Sequence, residues 1–324
     1  MSILITGGAG YIGSHTAKSL SRAGFEPVVY DNLSAGHRWA VKWGPLIEAD
    51  LSNKLALKQA LKAHNVTAAI HFAAFACVGE SVADPRRYFE NNVSNTLSLL
   101  HALLDAGVAT IVFSSSCAVY GEPQSLPISE SHLKLPVNPY GESKLFIERV
   151  LEWYGRAYGM RWAALRYFNA AGADPDGELG EAHTPESHLL PSILLSALGR
   201  REVVEIFGAD YPTPDGTAIR DYVHVSDLAE AHVSTLQHLI SGGESFCANL
   251  GTGRGASVRE VISAVERVSG KVMPSKAAPR RAGDPAVLIA DPAFVEKILG
   301  WRAKHSSLEN IVRTAWNWHR RRPA

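Results

Sequence analysis

Residues 3–14 read ILITGGAGYIGS. A short apolar run, Ile3–Ile5, leads into a loop carrying Gly7, Gly10 and Gly13, and a helical pattern follows through Lys18 and Leu20 to a stop at Gly24. Such a loop has to turn tightly, let its backbone approach a ligand and pack the new helix on the strand. Glycine tolerates all three demands. The helix start offers unpaired amides and a positive dipole end, which suit a pyrophosphate. Glycine-rich turns are common, but a strand before and a helix after make this one a dinucleotide fingerprint. Asp31 closes the next strand, PVVYD. A carboxylate there accepts hydrogen bonds from the adenine ribose hydroxyls and repels a 2′-phosphate, so the expected cofactor is NAD rather than NADP. Taken alone, Asp31 is only a strand-end residue capping a turn. Asp50 ends the third strand, PLIEAD, and is placed at the adenine edge.

The rhythm continues outward from that loop. SNKLALKQALKAH reads as a helix with Ser52 as its N-cap, AAIHFAA as a fourth strand, and Pro85 to Ala106 as one long helix with proline in its first turn. TIVFSSS is a fifth strand, GESKLFIERVLEWYGRAYG a helix and RWAALRY a sixth strand. The strands are near-continuous apolar runs, which is the pattern of a parallel sheet covered on both faces. The expected fold is therefore α/β, a doubly wound parallel sheet of the Rossmann type. After about Asn169 the rhythm changes to a polar loop, GADPDGELGEAHTPESH, followed by short strands and helices. We expect an NAD-binding domain over residues 1–169 and, over 170–324, mainly a smaller mixed α/β substrate-binding lobe at the C-terminal ends of the strands. Stretches within about 216–250 are expected to return to the main sheet.

Composition narrows the function classes. The chain has 324 residues, 46% apolar and 20% charged, with 32 basic and 32 acidic side chains. A net charge of zero gives no field for nucleic acid. Cys77, Cys117 and Cys247 are scattered, with no zinc or disulfide spacing, as expected in a reducing cytoplasm. No run approaches the ~20 apolar residues of a membrane span, and MSILITGG reads as a first strand rather than a signal peptide. No metal site is expected.

The second informative stretch is NPYGESK, residues 138–144. Tyr140 and Lys144 are four apart and share a helix face. A free phenol, with a pKa of ~10, is a poor base at neutral pH. A fixed cation lowers it, and a bound nicotinamide cation lowers it further. The resulting phenolate can take a hydroxyl proton while hydride leaves the same carbon. A third hydroxyl comes from the serine run of FSSSCAVYG, residues 113–121. Singly, each group has an ordinary reading: a strand-end cap, a half-buried aromatic, a solvated lysine. In order after the glycine loop, they make a far more specific set.

That set resembles the extended branch of the short-chain dehydrogenase/reductase superfamily. The similarity tightens over TGGAGYIGSHT, DNLSAGH, IHFAA, VGESV, YFENNVSNTLSLL, LRYFNAAGA, DYPTPDGTAIRDYVHVSDLA and NLGTG, from residue 1 to the C-terminal WNWH. It points to the UDP-glucose 4-epimerase family, especially its bacterial exopolysaccharide-associated form. The resemblance implies that Tyr140 is the base, Lys144 its activator and Ser116 the hydroxyl partner. It implies an NAD site of Gly7, Gly10, Tyr11, Ile12, Gly13, Asp31, Asn32, Asp50, Leu51, Phe72, Ala73, Ala74, Asn91, Ser114 and Tyr167, with Tyr140 and Lys144. It places Phe168, Asn169, His188, Leu189, Phe207, Arg220, Tyr222, Arg281, Asp284 and Leu288, with Ser116, around a UDP-sugar. Two arginines suit a diphosphate, and Asp284 suits ribose hydroxyls. The implied reaction passes hydride from C4 of the hexose to NAD and back to the opposite face, through a bound 4-keto sugar. It interconverts UDP-galactose and UDP-glucose without net oxidation. The family further implies a cytoplasmic homodimer, joined through the long helices near Pro85–Ala106 and Gly141–Tyr158.

Three departures from the family pattern bear on substrate range. Ala76 stands where many relatives carry a lysine. The HTPESH insert sets His188 near the substrate by position, and His183 with His188 is poor support for a metal. Leu288 is intermediate between the large ring that excludes N-acetyl groups and the small residue that admits them. UDP-N-acetylhexosamines and the pentoses UDP-xylose and UDP-arabinose thus stay open as substrates. A 4,6-dehydratase would need a carboxylate beside the serine, where this chain has Cys117 and Ala118. A non-catalytic NAD sensor would not be expected to keep Ser116, Tyr140 and Lys144 together.

Overall fold

Pairing on both sides of the strand that feeds the glycine loop sets the frame. In the computed structural model, which describes residues 1–281 and 284–321, the strands are β1 (Ser2–Thr6), β2 (Glu26–Asp31), β3 (Leu46–Glu48), β4 (Val66–His71), β5 (Thr110–Ser116), β6 (Arg161–Tyr167), β7 (Asn169–Ala171), β8 (Val204–Phe207), β9 (Ile219–Arg220), β10 (Tyr222–His224), β11 (Phe246–Leu250), β12 (Ala256–Ser257), β13 (Ser275–Ala278) and β14 (Val287–Leu288). The α-helices are α1 (Tyr11–Arg22), α2 (Lys54–Ala63), α3 (Val78–Ala83), α4 (Pro85–Tyr88), α5 (Asn95–Asp105), α6 (Pro139–Tyr158), α7 (Leu189–Ala197), α8 (Val225–Ile240), α9 (Val258–Ser269), α10 (Ala293–Leu299) and α11 (Leu308–His319).

Seven strands form one sheet in the order β11-β6-β5-β4-β1-β2-β3. The pairs β1–β2, β1–β4, β2–β3 and β4–β5 run parallel. Strand order reverses between β1 and β4, and ligands of doubly wound sheets gather at such a switch point. Ile3, Leu4 and Ile5 are fully buried, which explains why β1 shows no polar alternation.

The chain divides into two compact units. The first takes Met1–Gly121, Leu133–Arg166 and Ala229–Ala248; the second takes Glu122–His132, Tyr167–Leu228 and the chain from Asn249 on. Glu122–His132 thus joins the second unit and Ala229–Ala248 the first, while β9 and β10 lie in the second. In the second unit β10 pairs with β7, β12 and β14 flank β9, and β13 pairs with β8. Ile193, Leu194, Val261, Val265, Ile311 and Val312 from α7, α9 and α11 form its core.

Two local expectations are corrected. The N-cap of α2 is Asn53, whose side chain accepts from the Ala56 amide, rather than Ser52. The Asp50 carboxylate accepts from the Ser52 amide in an Asx turn, so the chain turns once more before the helix starts. The stretch from Pro85 is not one regular helix: Phe89–Ser94 is a π-helical segment between α4 and α5. There Asn92 accepts from the Phe75 amide, donates to the Phe75 carbonyl and donates to Ser143 on α6. Single π turns of this kind recur at functional sites, where they re-aim side chains.

Helix α6 is placed with care at both ends. The Asn138 side chain caps it by accepting from the Gly141 amide at 2.9 Å, Pro139 opens it, and Gly159 closes it at φ 68°. A Cβ on Gly141 would fall 2.5 Å from the Ala118 carbonyl oxygen, so glycine lets the helix start press on the chain just after β5. One turn past Lys144, buried Glu148 accepts two bonds from buried Arg166 on β6, at 2.8 and 2.6 Å, and one from Ser115 on β5 at 2.6 Å. Arg166 also donates to the Tyr120 hydroxyl at 2.8 Å. One carboxylate thus ties α6 to two strands.

Glu148→Ala leaves the Arg166 guanidinium buried without its anion, and the expected cost is about 3–5 kcal/mol of unfolding free energy. Urea unfolding followed by circular dichroism measures it. A loss below about 1 kcal/mol, the scale of an exposed pair, would show that the network does not pin the helix.

Candidate functional site

The glycine loop leaves β1 beside the end of β4. A Cβ on Gly7, which sits at φ 71°, would lie 2.6 Å from the Ala73 amide nitrogen, and one on Gly13 would lie 2.3 Å from the Gly7 carbonyl oxygen. The Phe72 and Ala73 amides both donate to the Thr6 carbonyl, which draws the end of β4 onto the loop. Ala74 follows directly, partly buried. Gly10 is the N-cap of α1 and supplies no side-chain cap. Tyr11 and Ile12 open the helix, and the Tyr11 carbonyl accepts from His15 and Ser14.

Asp31 ends β2 beside this loop. Its two carboxylate oxygens accept from the Ala9 amide at 3.0 Å and the Leu33 amide at 2.8 Å. Burial pushes its carboxyl above the usual range, against the pull of those amides. Asn32 donates to Asp50 at 2.6 Å, and Asn95 reaches the same carboxylate. Burial would raise the Asp50 carboxyl, but Ser52 and Asn32 hold it below the usual range. Leu51 is buried beside it. Asn91 donates to Asn92 within the π segment. A cradle that a single Cβ would fill, with a carboxylate at its rim that would repel a 2′-phosphate, fits NAD.

Ser116, Tyr140 and Lys144 come together at the end of β5. Ser116 accepts from the Ala118 amide at 3.2 Å and is hydrogen-bonded with the Tyr140 phenol. Lys144 is 3% exposed. Its Nζ donates to the Ser114 carbonyl at 2.7 Å and lies 4.9 Å from the Phe113 ring centroid and 5.7 Å from that of Tyr140. The ordinary reading of Lys144 as a solvated helix-start residue is excluded.

The electrostatics differ from the sequence expectation. Burial pushes the Tyr140 phenol up to about 12, with the Ser116 hydrogen bond opposing. Burial brings the Lys144 ammonium down to about 7, with Glu148 opposing. Desolvation therefore outweighs the mutual help of the pair. His71 lies between the hydroxyls of Thr6 and Thr96, at 2.6 and 2.7 Å. Burial, then the Lys144 charge, holds it neutral, down at about 3.

The second unit gathers most of the expected UDP-sugar residues. Arg220 on β9 donates to Asp284 at 2.5 Å and to the Ile219 carbonyl at 2.8 Å. Leu288 pairs in register with Arg220. The Arg281 guanidinium lies 4.1 Å from the Phe207 ring centroid, and the Asp284 amide donates to the Arg281 carbonyl. Tyr222 is buried, its phenol pushed up to about 12 by that burial. Tyr167 and Phe168 are buried at the end of β6, and Asn169 opens β7, its amide donating to the Asp221 carbonyl. His188 stands at the N-cap position of α7 and Leu189 is the first helical residue. Burial would raise the Glu181 carboxyl, but His188 and His183 hold it at about 2. Glu181 in turn lifts His188 to about 9 against burial. Ala76 is exposed.

The sequence reading missed Glu148, Arg166, Ser115 and Asn92. Glu148 was visible in principle, four residues past Lys144 on the same helix face. Arg166 sits inside an apolar strand and Asn92 inside an apparently regular helix, and nothing local marks either.

Comparison with known proteins identifies the family. The family profile described as NAD dependent epimerase/dehydratase family matches residues 3–251. The UDP-glucose 4-epimerase of Halalkalibacterium halodurans is 51% identical, covering 100% of this chain and 97% of its own length. That of Rhizobium meliloti is 50% identical, covering 99% and 98%. The crystal structure of UDP-glucose 4-epimerase from Brucella ovis in complex with NAD is 52% identical, covers 97% of each chain and superposes with a TM-score of 0.95. With a profile over most of its length and half-identical relatives end to end, the chain belongs to the NAD dependent epimerase/dehydratase family, among its UDP-glucose 4-epimerases.

Proposed function

We propose that the chain interconverts UDP-glucose and UDP-galactose by inverting C4 of the hexose through a transient 4-keto sugar. The observation that carries this reading is the Ser116–Tyr140–Lys144 cluster at the end of β5, with Ser116 and Lys144 buried and Tyr140 partly buried, in the same unit as the glycine loop. NAD, when bound, supplies a hydride acceptor at C4 that later returns the hydride. The chain's own part is proton handling and positioning. The Tyr140 oxygen takes the proton of the 4-hydroxyl and gives it back, Ser116 holds the reacting oxygen, and Lys144 keeps a cation beside the phenol. Burial pushes the phenol up to about 12, and a bound nicotinamide cation would favour its ionisation. Arg220 and Arg281 hold the diphosphate and Asp284 the ribose. Inversion needs a sugar that can turn while its nucleotide stays fixed, which suits charged groups aimed at the diphosphate.

We further infer a homodimer and a cytoplasmic location. The support for a dimer is a set of exposed apolar side chains in the first unit: Val78, Val82, Phe89, Phe146 and Trp153 on α3, the π segment and α6, with α6 packed against both of the others. Among the described residues no helix is long and apolar enough to cross a membrane, and the three cysteines are unbridged.

The purified chain, incubated with UDP-galactose and no added cofactor, is expected to form UDP-glucose until equilibrium. Absence of conversion in either direction would overturn the reading. Tyr140→Phe is expected to lower turnover by about 10²–10⁴-fold while retaining bound NAD, measured by cofactor release on denaturation. An unchanged rate would remove Tyr140 from the chemistry. For the assembly, sedimentation is expected to give a dimer for the wild type and a monomer for the double variant Phe146→Glu/Trp153→Glu. A monomeric wild type would refute the dimer.

A further inference from the structure

His183 and His188 alone make a poor metal site, but the fold brings two carboxylates to them. We propose that Glu181, His183, Glu186 and His188 form a binding site for one divalent cation of the zinc class. One donor atom from each of the four lies within 4.8 Å of every other. Both imidazoles present Nδ1 to the same oxygen, Oε1 of Glu181: His183 at 3.1 Å and His188 in closer contact. Oε2 of Glu186 is 3.9 Å from the His183 Nδ1. The two rings stand at 88° to each other with centroids 5.1 Å apart. They therefore meet edge to face, not by stacking. Zinc bonds of ~2.0–2.1 Å in a tetrahedron set donors about 3.3 Å apart, so closing on an ion asks for shifts of about an ångström.

Charge and donor type both favour this occupant. The Glu181 and Glu186 side chains are only 4% and 9% exposed, and two neighbouring carboxylates removed from water need a positive charge between them, which protons on the imidazoles can supply and a bound cation would replace. Arg281 faces His188 and opposes a further cation, but two carboxylates outnumber it. Mixed imidazole and carboxylate donors select zinc-like ions, whereas magnesium and calcium prefer oxygen alone. The frame is already braced. Trp318 on α11 donates to the Glu181 carbonyl at 3.0 Å, and Glu186 accepts from the His188 amide at 2.9 Å. His188, the more open of the two imidazoles, gives an entry path. An ion here would pin the long loop after β7 to the start of α7. None of the four donors belongs to the Ser116–Tyr140–Lys144 cluster, while His188 is also the residue that the family resemblance sets beside the UDP-sugar.

The test uses the NAD-loaded enzyme, stripped with a chelator, dialysed and titrated with Zn²⁺ against a chromophoric zinc indicator, with Co²⁺ as a spectroscopic substitute. The expected result is one ion per chain, unaffected by excess Mg²⁺, with a visible tetrahedral Co²⁺ band and a raised melting temperature. The double variant His183→Ala/His188→Ala is expected to lose stoichiometric binding, and Glu186→Gln, a gentler change, to weaken it. Circular dichroism and NAD content check that each variant is folded, and if the double variant is not, Glu186→Gln decides. A wild type that takes up no ion, its carboxylates balanced by protons on the imidazoles alone, would overturn the proposal. So would a folded double variant, or Glu186→Gln, that binds as tightly as the wild type.

Discussion

Removing the Lys144 ammonium from water is the constraint on which the arrangement at the end of β5 depends. A buried cation needs a fixed acceptor and a counter-charge. Here the acceptor is the Ser114 carbonyl and the counter-charge is Glu148, one helical turn further on. Glu148 is itself committed to Arg166 and Ser115. The rotation and height of α6 against β5 and β6 are therefore set by charge pairing, with little freedom left. Tyr140, one turn before Lys144, inherits its position and meets Ser116 because Gly141 allows the close approach to Ala118.

The same burial decides the chemistry. A lysine beside a tyrosine would, in a solvated helix, stabilise phenolate. In this interior both groups lose hydration, the phenol rises to about 12 and the ammonium falls to about 7. Glu148 partly restores the ammonium, and Ser116 partly restores the phenolate.

The second unit follows a related logic. Arg220 is held by Asp284 and two backbone carbonyls, and the Arg281 guanidinium lies on the Phe207 face. Arginines fixed before an anion arrives lose less side-chain freedom on binding it. Arg280 repeats the pattern with Asp210 and the ring of Tyr211. Leu288, in register with Arg220, places an apolar side chain beside this charged group.

Several features were legible in the residues alone. Gly7 and Gly13 admit no Cβ, Asp31 falls at a strand end, and Tyr140 and Lys144 share a helix face. Each is a matter of local sterics and helical periodicity, so the dinucleotide loop and the phenol–ammonium pair follow from sequence by itself. Other features were not legible. The π segment that turns Asn92 toward Phe75 and Ser143, the placing of 246–250 as the seventh strand and the Glu148–Arg166 pair all join segments apart in the chain, while the shift of the α2 cap to Asn53 turns on a local Asx turn at Asp50. Only the tertiary structure decided which buried charges meet and how far desolvation moves Tyr140 and Lys144, because a low dielectric exists only after the segments have closed over those groups.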